Sequence, residues 1–128
     1  MNVEKLNKCI MEMDTLSRVL LNYDDASLSL LFHCRDGGQY ENVLLCIRLE
    51  DPYAYHLPFA QYGEFKVEVL EPLRARGFIP DEYHESNLNA LRIHIKGMSE
   101  KYYCSFSGLT WFVEGPQALN EHELCKSL

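Results

Sequence analysis

Apolar and polar residues alternate most clearly between Asn89 and Gly115. The period of two at Leu91, Ile93 and Ile95 predicts a half-buried β-strand over residues 91–96. A second alternating run is interrupted at Ser107-Gly108, which predicts either a two-residue hairpin turn or one long strand with a bulge at Gly108. In the hairpin, the apolar residues on one face are Tyr102, Cys104, Phe106, Leu109, Trp111 and Val113.

An earlier alternating run predicts a β-hairpin formed by residues 28–34 and 43–49. Asp36-Gly37-Gly38 is a strong turn signal between them. A turn at Gly37-Gly38 would pair Phe32 with Val43, Leu30 with Leu45 and Leu28 with Ile47.

Three stretches show helical patterns. Residues 3–22 carry apolar residues at helical spacing, with Asp14 as an alternative cap of a second, separate helix. Residues 64–78 fit a strand or a helix, and the line of Glu64, Glu68 and Glu71 favours the helix despite Pro72. Residues 116–128 predict a short terminal helix.

The remaining segments predict loops. Residues 51–63 contain three tyrosines, which form either a recognition surface or a lid over the core, and residues 80–88 form an acidic loop. The expected fold class is therefore α+β, an antiparallel β-sheet of about five strands with helices packed on one face. The length of 128 residues predicts a single domain over residues 1–128.

Composition and charge narrow the function classes. The net charge of −7 repels nucleic acids and anionic membranes and favours basic partners. The five scattered cysteines contain no CxxC pair, and the charged N-terminus does not fit a signal peptide, so we expect a cytoplasmic protein with reduced thiols. No apolar run is long enough to span a membrane.

No catalytic motif is present in the sequence. The histidines and cysteines lack the short paired spacings of zinc ligands, and there is no phosphate-binding glycine motif or nucleophile elbow. We therefore expect no enzyme activity, no metal and no cofactor.

The one promising constellation is acidic. Carboxylates concentrate between residues 64 and 85, with a tyrosine among them as an aromatic anchor. The predicted partner-binding residues are Glu64, Glu68, Glu71, Asp81, Glu82, Tyr83 and Glu85. Further acidic residues, Asp24, Asp25, Glu50 and Asp51, lie at the ends of predicted strands.

These features favour a small acidic protein, a monomer or weak dimer, that binds and neutralises a basic partner. A bacterial immunity protein that inhibits the nuclease-type domain of a secreted toxin fits best. An acidic chaperone or adaptor for a secreted effector is the alternative.

Overall fold

Two antiparallel sheets, rather than the single sheet expected, make up most of the structure. The computed structural model describes residues 3–34 and 43–114, without the side chains of residues 84–86. The helices are α1 (Val3–Ile10), α2 (Pro72–Ala75) and a 3₁₀ helix (Asp81–Ser86). The strands are β1 (Thr15–Asn22), β2 (Ser27–His33), β3 (Leu44–Glu50), β4 (Tyr55–His56), β5 (Gln61–Tyr62), β6 (Phe65–Leu70), β7 (Asn89–Ile95), β8 (Tyr102–Phe106) and β9 (Gly108–Glu114). Sheet A has the order β5-β1-β2-β3-β9, and sheet B has the order β4-β8-β7-β6.

The two sheets are joined at one edge, because β8 of sheet B continues directly into β9 of sheet A. β8 pairs with β4, and β9 pairs with β3. The Ser107 amide donates to the Glu50 carbonyl at 2.9 Å, and the Ser105 amide donates to the Ala54 carbonyl at 2.8 Å. The predicted hairpin turn at Ser107-Gly108 is therefore wrong, and a continuous run that changes sheets at Ser107 replaces it. A Cβ atom at Gly108 would lie 2.9 Å from the Glu50 carboxylate, so glycine permits this close approach.

The opposite edge is closed by a second bent strand. β5 pairs with β1 in sheet A, and after Gly63 the chain continues as β6, which pairs with β7 in sheet B. The Gly63 amide donates to the Asp14 carbonyl, and the Lys96 amide donates to the Glu64 carbonyl, so the ladder is unbroken through the bend. The molecule is therefore a sandwich whose two sheets are continuous at both edges.

A single apolar cluster fills the space between the sheets. Phe32 of sheet A meets Phe65 of sheet B edge to face, with ring centroids 5.1 Å apart. Leu91, Ile93 and Ile95 are buried in this cluster, which confirms the predicted inward face of β7. Trp111 is only partly buried, because it lies on β9 at the edge of sheet A.

The N-terminal helix is much shorter than predicted. α1 ends at Ile10, and residues 15–22, expected to be helical, form β1; Asp14 caps no second helix. A bulge between Leu16 and Arg18 shifts the register of β1, so that Leu16, Val19 and Leu21 all face the core. Their spacing of three and then two residues resembles a helical period, which explains the error.

The predicted hairpin of residues 28–34 and 43–49 is confirmed as β2 and β3, but its register differs by two residues. Phe32 pairs with Leu45 and Leu30 with Ile47. A two-residue shift leaves every side chain on its predicted face, so the apolar pattern alone cannot detect it. The predicted turn at Gly37-Gly38 lies outside the described residues.

The predicted helix over residues 64–78 is also wrong in its first half. Phe65–Leu70 is strand β6, and α2 begins only at Pro72, which occupies its first turn. In the predicted loops, residues 51–63 include the short strands β4 and β5, and residues 80–88 include the 3₁₀ helix. The predicted C-terminal helix at 116–128 lies outside the described residues.

The described helices do not form a layer on one face. α1 packs at the edge strand β6, whereas α2 lies on the outer face of sheet B beside Leu70 and Ala90. The longest helix in the described ranges has eight residues, which is too short and too polar to cross a membrane.

Candidate functional site

Three acidic turns meet at one corner of the sandwich. The Asp51 amide donates to the Ala26 carbonyl at 2.8 Å, which joins the end of β3 to the turn between β1 and β2. The rings of Tyr53 and Tyr83 meet edge to face with centroids 4.9 Å apart, which joins the same segment to the 3₁₀ helix. We call this surface the acidic corner; its residues are Tyr23, Asp24, Asp25, Glu50, Asp51, Tyr53, Asp81, Glu82 and Tyr83.

The backbone of the acidic corner is held in an unusual conformation. Ala26 and Asp51 have φ angles of +50° and +51°, in the left-handed region, which aspartate tolerates but alanine rarely adopts. The hydrogen bond between these two residues fixes both turns. Strained residues of this kind persist only where their surroundings hold them, and they are concentrated at functional sites.

Serine side chains complete the scaffold of the acidic corner. The Ser105 hydroxyl is buried and accepts hydrogen bonds from the amides of Tyr53 and Ala54, at 3.0 and 2.8 Å. The Ser107 hydroxyl donates to the Asp51 carboxylate at 2.7 Å, and the Ser27 hydroxyl donates to the Asp25 carboxylate at 2.6 Å. These bonds orient two of the carboxylates without neutralising their charge.

The acidic corner exposes both charge and aromatic surface. Tyr23 and Tyr53 are 83% and 59% exposed, and Asp24 and Glu82 are also exposed. Arg48 offsets part of the charge, since its guanidinium lies 3.3 Å from the Asp25 carboxylate. Large exposed tyrosines beside carboxylates are well suited to protein recognition, because a tyrosine ring offers contact area at low entropic cost.

Glu64 and Glu68, two of the predicted binding residues, do not belong to this corner. Glu64 is separated from α2 by the six residues of β6, which span about 20 Å, and its carboxylate lies 3.4 Å from the Lys96 ammonium. The Glu68 carboxylate accepts a 2.7 Å hydrogen bond from Arg74 and lies 3.6 Å from His94. The hydrogen bond from Arg74 lowers the pKa of Glu68, with partial burial acting in the opposite direction.

Glu71, the third residue of the predicted helical line, is exposed and directly precedes α2, so the three glutamates do not share one helix face. Of the other predicted residues, the structure brings Asp81, Glu82 and Tyr83 into the acidic corner, and the side chain of Glu85 lies outside the described residues. Sequence analysis placed Asp24, Asp25, Glu50 and Asp51 at strand ends but had no signal that joined them to Tyr83. The sequence feature that could have indicated the acidic corner is the position of carboxylates at the ends of three separate strands.

The described thiols are buried or half-buried. Burial raises the pKa of the Cys104 thiol to about 12, and Cys46 is also buried. Cys9 and Cys34 are half-buried, and none of these four cysteines forms a disulfide. Within residues 3–34 and 43–114, no group of three or more histidine, cysteine or acidic side chains is placed to hold a metal ion.

Neither a protein-family model, nor a curated protein, nor a solved structure matches this chain. The geometry of the acidic corner therefore carries the functional argument.

Proposed function

We propose that this protein binds and neutralises a basic partner protein, and that the acidic corner is its binding surface. The most specific form of the proposal is a cytoplasmic immunity protein, acting as a monomer or weak dimer, that inhibits the nuclease-type domain of a secreted toxin. The observation that carries it is the convergence of three acidic turns around the exposed rings of Tyr23 and Tyr53.

Charge and aromatic surface have different roles in this proposal. The negative field of the acidic corner raises the rate of association with a basic protein, and salt reduces that rate. The tyrosines then provide buried contact area, and rings at the centre of an interface commonly supply much of its binding energy. A nuclease fits the partner class, because its active site is shaped to bind a phosphate backbone and is therefore basic.

An acidic chaperone or adaptor for a secreted effector is the second candidate. It is favoured by a groove of about 540 Å³ beside the turn between α1 and β1. Its lining includes Met11, Met13, Cys34 and Tyr62, and the Met11 side chain is 69% exposed. Flexible methionines are common at surfaces that accept varied apolar segments.

A binding experiment with charge-reversal variants tests the proposal. The purified protein is used to capture partners from lysates and from candidate basic nucleases, and the affinity and association rate are then measured at several salt concentrations. We expect Asp24→Lys combined with Glu82→Lys to slow association and to weaken binding by about 2 kcal/mol or more. Tyr53→Ala should speed dissociation while leaving the salt dependence of association unchanged.

Glu64→Lys combined with Glu71→Lys is the matched control, since it reverses two exposed carboxylates outside the acidic corner. The proposal fails if the control weakens binding as much as the Asp24→Lys and Glu82→Lys pair. Partner capture that depends on Met11 and Tyr62, and not on the acidic corner, would instead support the chaperone.

A further inference from the structure

The outer face of sheet B is divided into two halves of different chemistry. Next to α2, the outward side chains of Leu70, Ala90 and Tyr103 are buried against the segment that follows β6. Towards the other ends of β6 and β7, the outward residues are charged or polar, beginning with the cross-strand pair of Lys66 and His94. This second half is open to solvent.

The open half is basic, although the whole chain carries a net charge of −7. We call it the basic face; its cationic residues are Lys66, Arg92, Lys96 and Lys101, with His94 between them, and Arg74 of α2 borders it. Nearby carboxylates include Glu64, which is bound to Lys96, and Glu68, which is bound to Arg74 and lies near His94. Glu100, beside Lys101 in the chain, lies 3.0 Å from His56. The chain has a negative net charge, but the basic face is a region of positive charge.

Arg92 is the centre of the basic face. Its guanidinium carbon lies 4.8 Å from the centroid of the Phe78 ring, and its buried Nε–H has no hydrogen-bond acceptor among the described residues. No carboxylate among the described side chains forms an ion pair with Arg92, and the nearest across the ladder, Glu68, is already bound by Arg74 and His94. The stacking on Phe78 holds this charge in place but does not neutralise it.

Lys101 adds a second positive charge beside Arg92 and Phe78. Its ammonium lies 5.8 Å from the Phe78 centroid, so two cations share one aromatic ring. Lys101 is exposed and directly precedes β8, where Tyr103 pairs with Arg92. An anionic side chain bound at this position would be attracted by both cations.

A small depression lies at the far end of the basic face. It has a volume of about 240 Å³ and is lined by Met11 and Phe65 together with Glu64, Lys66, His94 and Lys96. An apolar side chain fits such a depression while neighbouring acidic side chains reach the surrounding cations.

We propose that the basic face binds an acidic segment of a partner protein in an extended conformation. Neighbouring strands of a sheet are about 4.8 Å apart, so the cations are spread over a surface and not gathered around one point. Such spacing fits several carboxylates along a chain better than one compact ion such as free phosphate. This surface lies outside the acidic corner and has the opposite charge, so it goes beyond the proposed function.

Fluorescence anisotropy with a short labelled peptide of alternating glutamate and valine tests the proposal. We expect saturable binding that weakens as ionic strength rises and the Debye length falls to about 8 Å. Arg92→Gln combined with Lys101→Gln should weaken binding about tenfold, as expected for the loss of one half-buried and one exposed charge. Arg18→Gln, which removes an exposed charge from β1 in sheet A, should leave the affinity unchanged.

Three results would overturn the proposal. These are equal binding of the same peptide with glutamine in place of glutamate, equal binding by the Arg92→Gln and Lys101→Gln variant, and tighter binding of a single-stranded oligonucleotide or of inorganic phosphate than of the acidic peptide. If circular dichroism shows that Arg92→Gln disturbs the fold, Lys66→Gln combined with Lys101→Gln removes two exposed charges and leaves the contact of Arg92 with Phe78 in place, and the same comparison applies.

Discussion

At the residue scale, Glu68 shows how tertiary neighbours change the role of a side chain. The sequence suggested an acidic binding residue, whereas the structure places its carboxylate against Arg74 and beside His94. His94 cannot be assigned as a neighbour from the local pattern, because it reaches Glu68 only through the pairing of β6 with β7. These contacts give Glu68 a role in the stability of the fold, and its part in partner binding stays a prediction.

The lowered pKa of Glu68 predicts a stability that depends on pH. Because the folded pKa lies below the ordinary value of 4.5, the ionised side chain stabilises the fold above that value, and the contribution is lost as the pH falls through the folded pKa. Glu68→Gln should cost no more than about 1 kcal/mol at neutral pH, since solvent screens a partly exposed ion pair. The cost should vanish in acid.

Chemical denaturation of both proteins between neutral and acidic pH measures this effect. Glu71→Gln is the matched control, because Glu71 is exposed and precedes α2. A destabilisation by Glu68→Gln that is the same at all pH values would show that the ion pair is not its cause.

The thiols offer a second prediction at this scale. Cys46 and Cys104 are buried, and the raised pKa of Cys104 keeps it protonated at neutral pH, whereas Cys9 and Cys34 are half-buried. Alkylation of the native protein, followed by peptide mass spectrometry, should modify Cys9 and Cys34 first. Modification of Cys104 at the rate of Cys34 in the folded protein would contradict this order.

At the scale of elements, the sequence predicted strands well where apolar residues alternate without interruption. β7 was expected over residues 91–96, and the pairing of β2 with β3 was also expected. β1 was missed because its bulge breaks the alternation. β6 was missed because Glu68 in the strand and Glu64 and Glu71 beside it follow a helical spacing. A bulge is set by the partner strand, which is information that a local window does not contain.

Helix α1 has a role at the edge of sheet B that leads to a third prediction. The Asn7 side chain donates to the Val67 carbonyl and accepts from the Val67 amide, both at 2.8 Å, so it takes the place of a neighbouring strand for β6. Asn7→Ala leaves both backbone groups of Val67 without these partners and should cost about 1–3 kcal/mol in the free energy of unfolding. Thermal and chemical denaturation measure the cost.

Asn7→Asp separates the two hydrogen bonds. The aspartate carboxylate can still accept from the Val67 amide, but it cannot donate to the Val67 carbonyl and repels that oxygen. We therefore expect a loss at neutral pH that becomes smaller in acid, where the protonated side chain regains a donor. Lys8→Ala, one residue further along α1 on an exposed position, should change stability far less.

At the scale of the whole molecule, the closure of the sandwich was beyond the reach of the sequence. Ser107-Gly108 looks like a turn locally, yet here the chain leaves sheet B and enters sheet A. The acidic corner depends on the same feature, since the bend brings Asp51 and Ser107 within 2.7 Å. The acidic corner and the link between the two sheets were therefore not predicted for one reason, because both are assembled from segments far apart in the chain.

The closure at both edges also makes a prediction about folding. The two sheets share bent strands and one apolar cluster, so neither sheet can open alone without breaking strand pairing and exposing the contact between Phe32 and Phe65. Residues 1–128 were predicted to form a single domain, and the described part should unfold as one cooperative unit.

Native-state hydrogen exchange tests this prediction. The backbone amides of Leu30 in β2 and Leu91 in β7 should be among the slowest to exchange, and both should give the same free energy of opening. That value should equal the free energy of unfolding from chemical denaturation. Phe32→Leu should lower the free energy of opening at both amides equally, by about 1–2 kcal/mol. Leu91 exchanging at a clearly lower free energy than Leu30, or responding to Phe32→Leu by a smaller amount, would mean that sheet B opens independently of sheet A.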